Sequence, residues 1–204
     1  IHFKVQSNPQ RIARSTLNQM GLKETEIVFE PMSDCSYGFV RYVDGKRKVF
    51  INDNLNIDDV YYTALHEGRH ILQRKQQERY ISELIKGMST KEIEEYVARN
   101  NNTKAYLFKQ FLRLDSVQRD NVRKLAFEMP PLTKKELKEV KKQSKEFANY
   151  VTSEENFEIY QSQNIERQAR YEEHLGMANR NFYQEDYNIF APDGNYDTRY
   201  LLIG

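Results

Sequence analysis

The spacing of apolar positions changes near Asn56, from a mixed opening with β-like runs to a long remainder in which nearly every signal is helical. At the start, Ser7, Asn8 and Pro9 offer a helix beginning with proline tolerated in the first turn. Ile12, Leu17 and Met20 follow on one side, and Gly21 closes the element. Residues 26–29, 37–43 and 48–51 are rich in β-branched and aromatic side chains and predict three strands. Asp44 and Gly45 join the last two, a dipeptide suited to the positive φ angles of a tight hairpin turn. These runs predict a small antiparallel sheet. Beyond Asn56 a long helix is predicted over residues 57–86, stopped by Gly87, and Ser89 with Glu92 forms a capping-box pattern for the next helix. Asn100, Asn101 and Asn102 break that helix, and two more helical stretches reach Pro130 and Pro131, where the backbone is steered out of helix. Thr133 and Glu136 repeat the capping-box pattern before a Lys-rich helix to about Tyr150. A last long helix is predicted over 154–177, and the remainder, with Pro192, Asp193 and Gly194, reads as an irregular tail. The predicted fold class is α+β: mostly helical, with a small N-terminal antiparallel sheet packed on the helix that follows it. No internal repeat or low-complexity linker divides the chain, so residues 1–204 are expected to form a single domain.

Charge and composition narrow the classes of function. Lys+Arg number 31 against 30 Asp+Glu, and the formal net charge of +1 removes the broad electrostatic case for nucleic-acid or membrane-surface binding. The chain is polar, 39% hydrophobic and 30% charged, but 14 Tyr and 11 Phe are more than a disordered chain would carry, so a folded core built on Tyr and Phe is expected. Cys35 is the single cysteine, which excludes an internal disulfide; it reads as a tolerated small residue in a loop rather than an inhibitory thiolate. Neither a signal-peptide core nor a run of 18 apolar residues is present, so no membrane partner is expected and the cytoplasm is the expected location. The first residue is Ile rather than Met, as expected of a sequence beginning inside a longer one. Lys134, Lys135, Lys138, Lys141, Lys142 and Lys145 form the one local charge bias. They are interleaved with Glu136, Glu139 and Glu146 and lack aromatic neighbours, which favours a solvated helix face over a phosphate-binding surface.

The residues that carry chemistry are His66, Glu67, Gly68, Arg69 and His70, the pattern H-E-x-x-H inside a stretch with helical periodicity and no proline. On a helix, positions four apart project from one face, so the two imidazoles can bind one metal ion. Glu67 lies about 100° around the helix from His66, placed to meet a water on the metal without ligating it. Zinc with three protein ligands keeps a fourth position for water, lowers the pKa of that water toward neutrality and polarises a scissile carbonyl. Glu67 would then take the proton from the water and deliver it to the departing amine. The competing reading is a pair of hydrogen-bonded core histidines beside an exposed Glu67.

A third ligand must come from elsewhere in the chain. Glu94 and Glu95 flank an apolar stripe of Ile93, Tyr96 and Val97 and are expected to face solvent. Asp115 reads as a helix cap, and Asp120 as the partner of Lys124 one turn later. Glu166 shares a stripe with Ile159, Ser162, Ala169 and Met177, and a buried carboxylate is costly unless paired or bound to a metal. Ala169 is small enough to let this helix approach the one bearing the histidines. Glu166 is therefore the expected third ligand, with His174, two turns on, as the alternative; His174 reads more simply as a partly exposed residue of an amphipathic helix.

Residues 48–52, then Asn54, Leu55 and Asn56, then residues 61–73 resemble the strand, loop and active-site helix of zincin-like metallopeptidases of the ImmA/IrrE type. Domains with the same order of elements occur in proteins of phages and other mobile elements. Tyr160 and Gln161, leading into Ile165, Glu166, Arg167, Gln168 and Ala169, resemble the family's downstream E-x-x-A segment, whose Glu completes a His-His-Glu zinc site. The resemblance covers residues 25–80 and 157–178, specific in H-E-x-x-H and looser elsewhere. It implies a cytoplasmic zinc peptidase of narrow specificity acting on a protein such as a DNA-binding repressor, with strand 48–51 as the edge that receives an extended peptide.

Three departures stand out. The separation of Glu166 from His70 exceeds the family spacing, which implies that residues 89–150 are a helical insertion. Gly68 and Arg69 replace an apolar-Gly pair, placing Arg69 on the outer helix face or cleft rim, while Gly68, which weakens a helix by about 1 kcal/mol relative to alanine, implies a close neighbour. Arg170 stands where an acid often orients a zinc-bound His, so the partner of the ligating histidine is left unassigned. Tyr171, His174, Tyr196 and Tyr200 follow the third ligand and are candidates to stabilise an oxyanion. A non-catalytic zincin-fold module that binds a protein partner is the alternative function, and a nucleic-acid factor using the Lys-rich helix a weaker one. The residues do not set the oligomeric state.

Overall fold

In the computed structural model, which describes residues 8–33, 36–152 and 155–183, helix α1 (Pro9–Gln19) begins where Asn8 accepts a hydrogen bond of 2.9 Å from the Gln10 N–H. Proline occupies the first turn and Gly21 follows the end with φ of 75°. Cys35, Tyr196 and Tyr200, and the tail from residue 184, lie outside the described residues. Strands β1 (Glu26–Glu30), β2 (Gly38–Val43) and β3 (Lys46–Asn52) follow. Asp44 and Gly45 have φ of 51° and 76°, the positive pair that lets a tight turn follow the twist of its strands, and β2 pairs antiparallel with β3 as expected.

The sheet is mixed rather than antiparallel throughout. Its order is β1-β3-β2, and β1 runs parallel to β3. The hairpin occupies one side of β3, leaving only the other for β1, and two reversals of direction bring β3 back along β1. Glu26 and Lys48, paired across these strands, form an ion pair of 2.9 Å. Residues 48–51 therefore lie in the central strand and are not an edge; the edges belong to β1 and β2.

Helix α2 (Ile57–Leu84) starts at Asn56, whose side chain accepts from the Asp59 N–H at 2.9 Å, and Gly87 follows it with φ of 80°. The sheet lies against this helix at Gly38: a Cβ there would stand 2.6 Å from Thr63 Cγ2, 2.6 Å from the Phe50 carbonyl oxygen and 3.6 Å from Glu67 Cγ. Helices α3 (Thr90–Arg99), α4 (Thr103–Leu112), α5 (Ser116–Glu128) and α6 (Lys134–Ala148) come next. The capping boxes expected at Ser89/Glu92 and Thr133/Glu136 both form, and Asp115 caps α5 with Gln118. Hydrogen bonds from the backbone and hydroxyl of Ser89 and of Thr133 hold the Glu92 and Glu136 carboxyls below the ordinary carboxylate range. All six lysines of α6 are exposed, as a solvated face requires.

The expected single helix over 154–177 is instead two, α7 (Phe157–Ser162) and α8 (Asn164–Tyr183). Gln163 is extended, with ψ of 136°, and its side chain pairs with both the N–H and the C=O of Val151, at 3.0 and 2.9 Å. Two hydrogen bonds to a neighbouring backbone replace the helical continuation at that residue.

The chain forms two compact units, residues 1–70 with 168–204, and residues 71–167. The first contains the sheet, α1, the beginning of α2 and most of α8, with Ile12, Leu17, Val49, Ile51 and Ala64 among its buried residues. The second is helical, and its core groups Ile81, Ile85, Ile93, Leu107, Phe108, Phe111 and Val122. Among the described residues, no helix is long and apolar enough to cross a membrane.

The surroundings of Gly38 and Gly68 give a test of the packing on α2. A Cβ on Gly38 meets a backbone carbonyl that cannot move without breaking the sheet, whereas one on Gly68 meets the Met20 thioether at 2.6 Å, the mobile end of a flexible side chain. Gly38→Ala is expected to cost about 2 to 3 kcal/mol as overpacking, and Gly68→Ala clearly less. Thermal unfolding of the two variants beside the unsubstituted protein measures the difference, and equal melting temperatures for the two would contradict it.

Candidate metal centre

Helix α2 places His66 and His70 one turn apart with their Nε2 atoms facing each other at 3.1 Å and their rings crossing at 75°. Together with Glu166, in the first turn of α8, they form a group in which one ligand atom from each residue lies within 4.8 Å of the others. Four ligands around a tetrahedral zinc at 2.0 to 2.1 Å stand about 3.3 to 3.4 Å apart, so the two imidazole nitrogens are close to that separation. Two imidazoles and a carboxylate suit zinc, and also other divalent first-row metals.

The side chains behind the group support the same reading. Glu173 Oε1 lies 2.5 Å from His66 Nδ1. A proton held on Nδ1 and donated to this carboxylate leaves the Nε2 lone pair for a metal and fixes the plane of the ring. Glu166 is 1% exposed, and its Oε1 accepts a hydrogen bond of 2.8 Å from the Tyr150 hydroxyl. Glu67 is buried beside Gly38 and stands outside the His66, His70 and Glu166 group.

Other expectations divide. His174 is exposed, as are Glu94 and Glu95, and Asp115 is committed to its cap; none belongs to the group. Ala169 is fully buried one turn after Glu166, as its size suggested. Ile159 and Met177, however, are 48% and 37% exposed and do not share the Glu166 stripe. The break at Gln163 shifts the phase between the two helices, and among the described residues the buried positions of α8 are Ile165, Glu166, Ala169, Glu172 and Gly176. Arg69, expected on the outer helix face or cleft rim, is part-buried. Its guanidinium donates to Gln168 Oε1 at 3.2 Å and lies 3.7 Å from Glu172 Oε1, fastening α2 to α8. Burial pushes the Glu172 carboxyl above its ordinary range, and the Arg69 charge pulls it back.

Gly68 has the close neighbours its presence implied: Leu17 and Met20 of α1 fill the space a Cβ would need. At Gly176 a Cβ would collide with Leu65 Cδ1 and stand 3.1 Å from Tyr61 Cε1, so α8 meets α2 at a bare backbone position. Three residues of the site went unread in the sequence. Glu173 follows Glu166 by seven positions, two helical turns on the same side, and this spacing could have identified the partner sought at Arg170. Gly176 carried a weaker signal as a glycine inside a helical pattern. Tyr150 carried none, because it reaches Glu166 through tertiary structure alone. Tyr171, by contrast, is exposed.

Comparisons of the chain with protein-family models, curated proteins and solved structures found no match.

If Glu173 fixes the His66 ring, Glu173→Ala should lower divalent-metal affinity about 10- to 100-fold while the far-ultraviolet spectrum is unchanged. Titration of the apoprotein with zinc against a competing chelator measures this. An affinity equal to that of the unsubstituted protein would remove Glu173 from the site.

Proposed function

We propose that this protein is a zinc-dependent peptidase, with His66, His70 and Glu166 as metal ligands and Glu67 as the general base and acid. The observation that carries the reading is the facing pair of imidazole nitrogens grouped with a buried carboxylate, in the H-E-x-x-H order that also supplies a buried Glu67. A zinc ion bound there would polarise a scissile carbonyl and acidify a water enough for deprotonation near neutral pH. Glu67, buried on α2, takes the proton and returns it to the leaving amine. Glu173 keeps the His66 ring in the tautomer that ligation needs.

The resemblance to zincin-like peptidases of the ImmA/IrrE type supports the same assignment and gives the substrate class: a specific intracellular protein, such as a repressor, cleaved in the cytoplasm. With β3 central, the receiving edge for an extended peptide becomes β2, which begins at Gly38 beside Glu67.

The test is a pair of variants assayed on a broad peptide library with mass-spectrometric detection. Glu67→Gln should keep stoichiometric zinc and lose about 10²- to 10⁴-fold in cleavage rate. Glu166→Ala should lose zinc and activity together. Full activity in either variant would refute the role given to that residue. A zinc-loaded protein that cleaves no library member and no candidate repressor would favour a non-catalytic module that binds a protein partner.

A further inference from the structure

We infer that α6 and the two residues at Tyr150 and Val151 form a positioning device that aims the third metal ligand. The inference rests on the metal-site reading and deepens it, because it assigns a role to the region that sequence alone marked as an insertion.

Four consecutive residues lead into the ligand, and each is held from this region. Gln163 is clipped to both backbone groups of Val151, at 3.0 and 2.9 Å. The Asn164 amide donates to Glu139 Oε1 at 3.1 Å, and its carbonyl oxygen accepts from Lys142 Nζ at 3.1 Å. The Ile165 N–H, one of the free donors at the start of α8, donates to Glu146 Oε2 at 3.0 Å. Glu166 itself accepts from the Tyr150 hydroxyl at 2.8 Å. From the opposite direction the buried Gln73 amide, three residues after His70, donates to the Ile165 carbonyl at 3.0 Å.

Local chemistry explains why such a device is needed. Glu166 sits in the first turn of α8, directly after the extended residue that breaks the helix from α7. A first turn has no preceding turn to hold its N–H groups, so it frays unless outside acceptors satisfy them. Glu146 supplies such an acceptor, and its negative charge is also favoured at a helix N-terminus. The Tyr150 hydroxyl selects one carboxylate oxygen as its acceptor and so restricts rotation of the Glu166 side chain. These are positioning residues; none of them is placed in contact with substrate.

The experiment uses the full chain loaded with Co²⁺ as a spectroscopic substitute for zinc. Tyr150→Phe removes only the hydroxyl, and Glu146→Ala removes only the acceptor for Ile165. Each should weaken Co²⁺ binding about 10-fold or more and shift the visible ligand-field bands, while circular dichroism stays that of the folded protein. Lys145→Ala, at an exposed position on the same helix, is expected to leave affinity and bands unchanged. Unchanged affinity and bands in both Tyr150→Phe and Glu146→Ala, with Co²⁺ bound normally by the unsubstituted protein, would overturn the positioning role alone. Failure of the unsubstituted protein to bind Co²⁺ or zinc would overturn the metal-site reading and this inference with it.

Discussion

A carboxylate at 1% exposure is among the costliest groups a small protein can bury, and Glu166 sets the terms for much of what surrounds it. An ionised carboxylate out of water costs several kcal/mol unless charge or strong hydrogen bonds replace its hydration. The Tyr150 hydroxyl supplies one neutral hydrogen bond. Two more acids, Glu172 and Glu173, follow within two turns of the same helix, and both are directed at α2, one to Arg69 and one to His66. Arg69 answers the charge on Glu172. His66 can answer Glu173 with a neutral N–H, while its other nitrogen faces His70. A divalent cation bound by His66, His70 and Glu166 would bring positive charge to this group of acids.

Close approach to α2 depends on small residues used from three directions. β2 meets the helix at Gly38, α1 meets it at its own Gly68, and α8 meets it at Gly176. At each place a methyl group would overlap a neighbour, so backbone or side chain from the other element fills the space instead. A helix gripped in this way has little freedom to rotate about its axis. Rotation would carry His66, Glu67 and His70 away from their partners together, and the site needs ring planes fixed to within a few tenths of an ångström.

What was legible in the sequence follows from what is local. The H-E-x-x-H spacing, the Asp44-Gly45 turn and the capping boxes at Ser89 and Thr133 are set by residues within four positions of one another, and each forms as read. Burial of Glu166 was anticipated on a stripe of which only Ala169 is buried with it, since Ile159 and Ser162 belong to α7 and Met177 is exposed. The parallel pairing of β1 with β3 was not, since nothing within either strand states its partner. The break at Gln163 was missed because helix propensity there is ordinary, and a hydrogen-bonded clip to Val151, twelve residues away, overrides it. Arg69 was placed on the outer helix face or cleft rim because it departs from an apolar-Gly pair, and its partners Gln168 and Glu172 were not read because they are distant in sequence.

Helix α6 shows how an uninformative composition can conceal an ordered division. Lysines and glutamates alternate along it so evenly that the sequence suggests only a solvated face with compensated charge. The six lysines are exposed, but the glutamates are not simply their counterions. Glu136 closes the capping box and meets Arg79 at 3.3 Å, Glu139 holds Asn164, and Glu146 takes the Ile165 N–H in the first turn of α8. Each acid thus serves a helix end, where a carboxylate is worth more than in a surface pair screened by salt. A region that lengthens the chain between the second and third ligands therefore need not loosen the site. It can shorten the path that matters, from a rigid helix to the carboxylate, to a few hydrogen bonds.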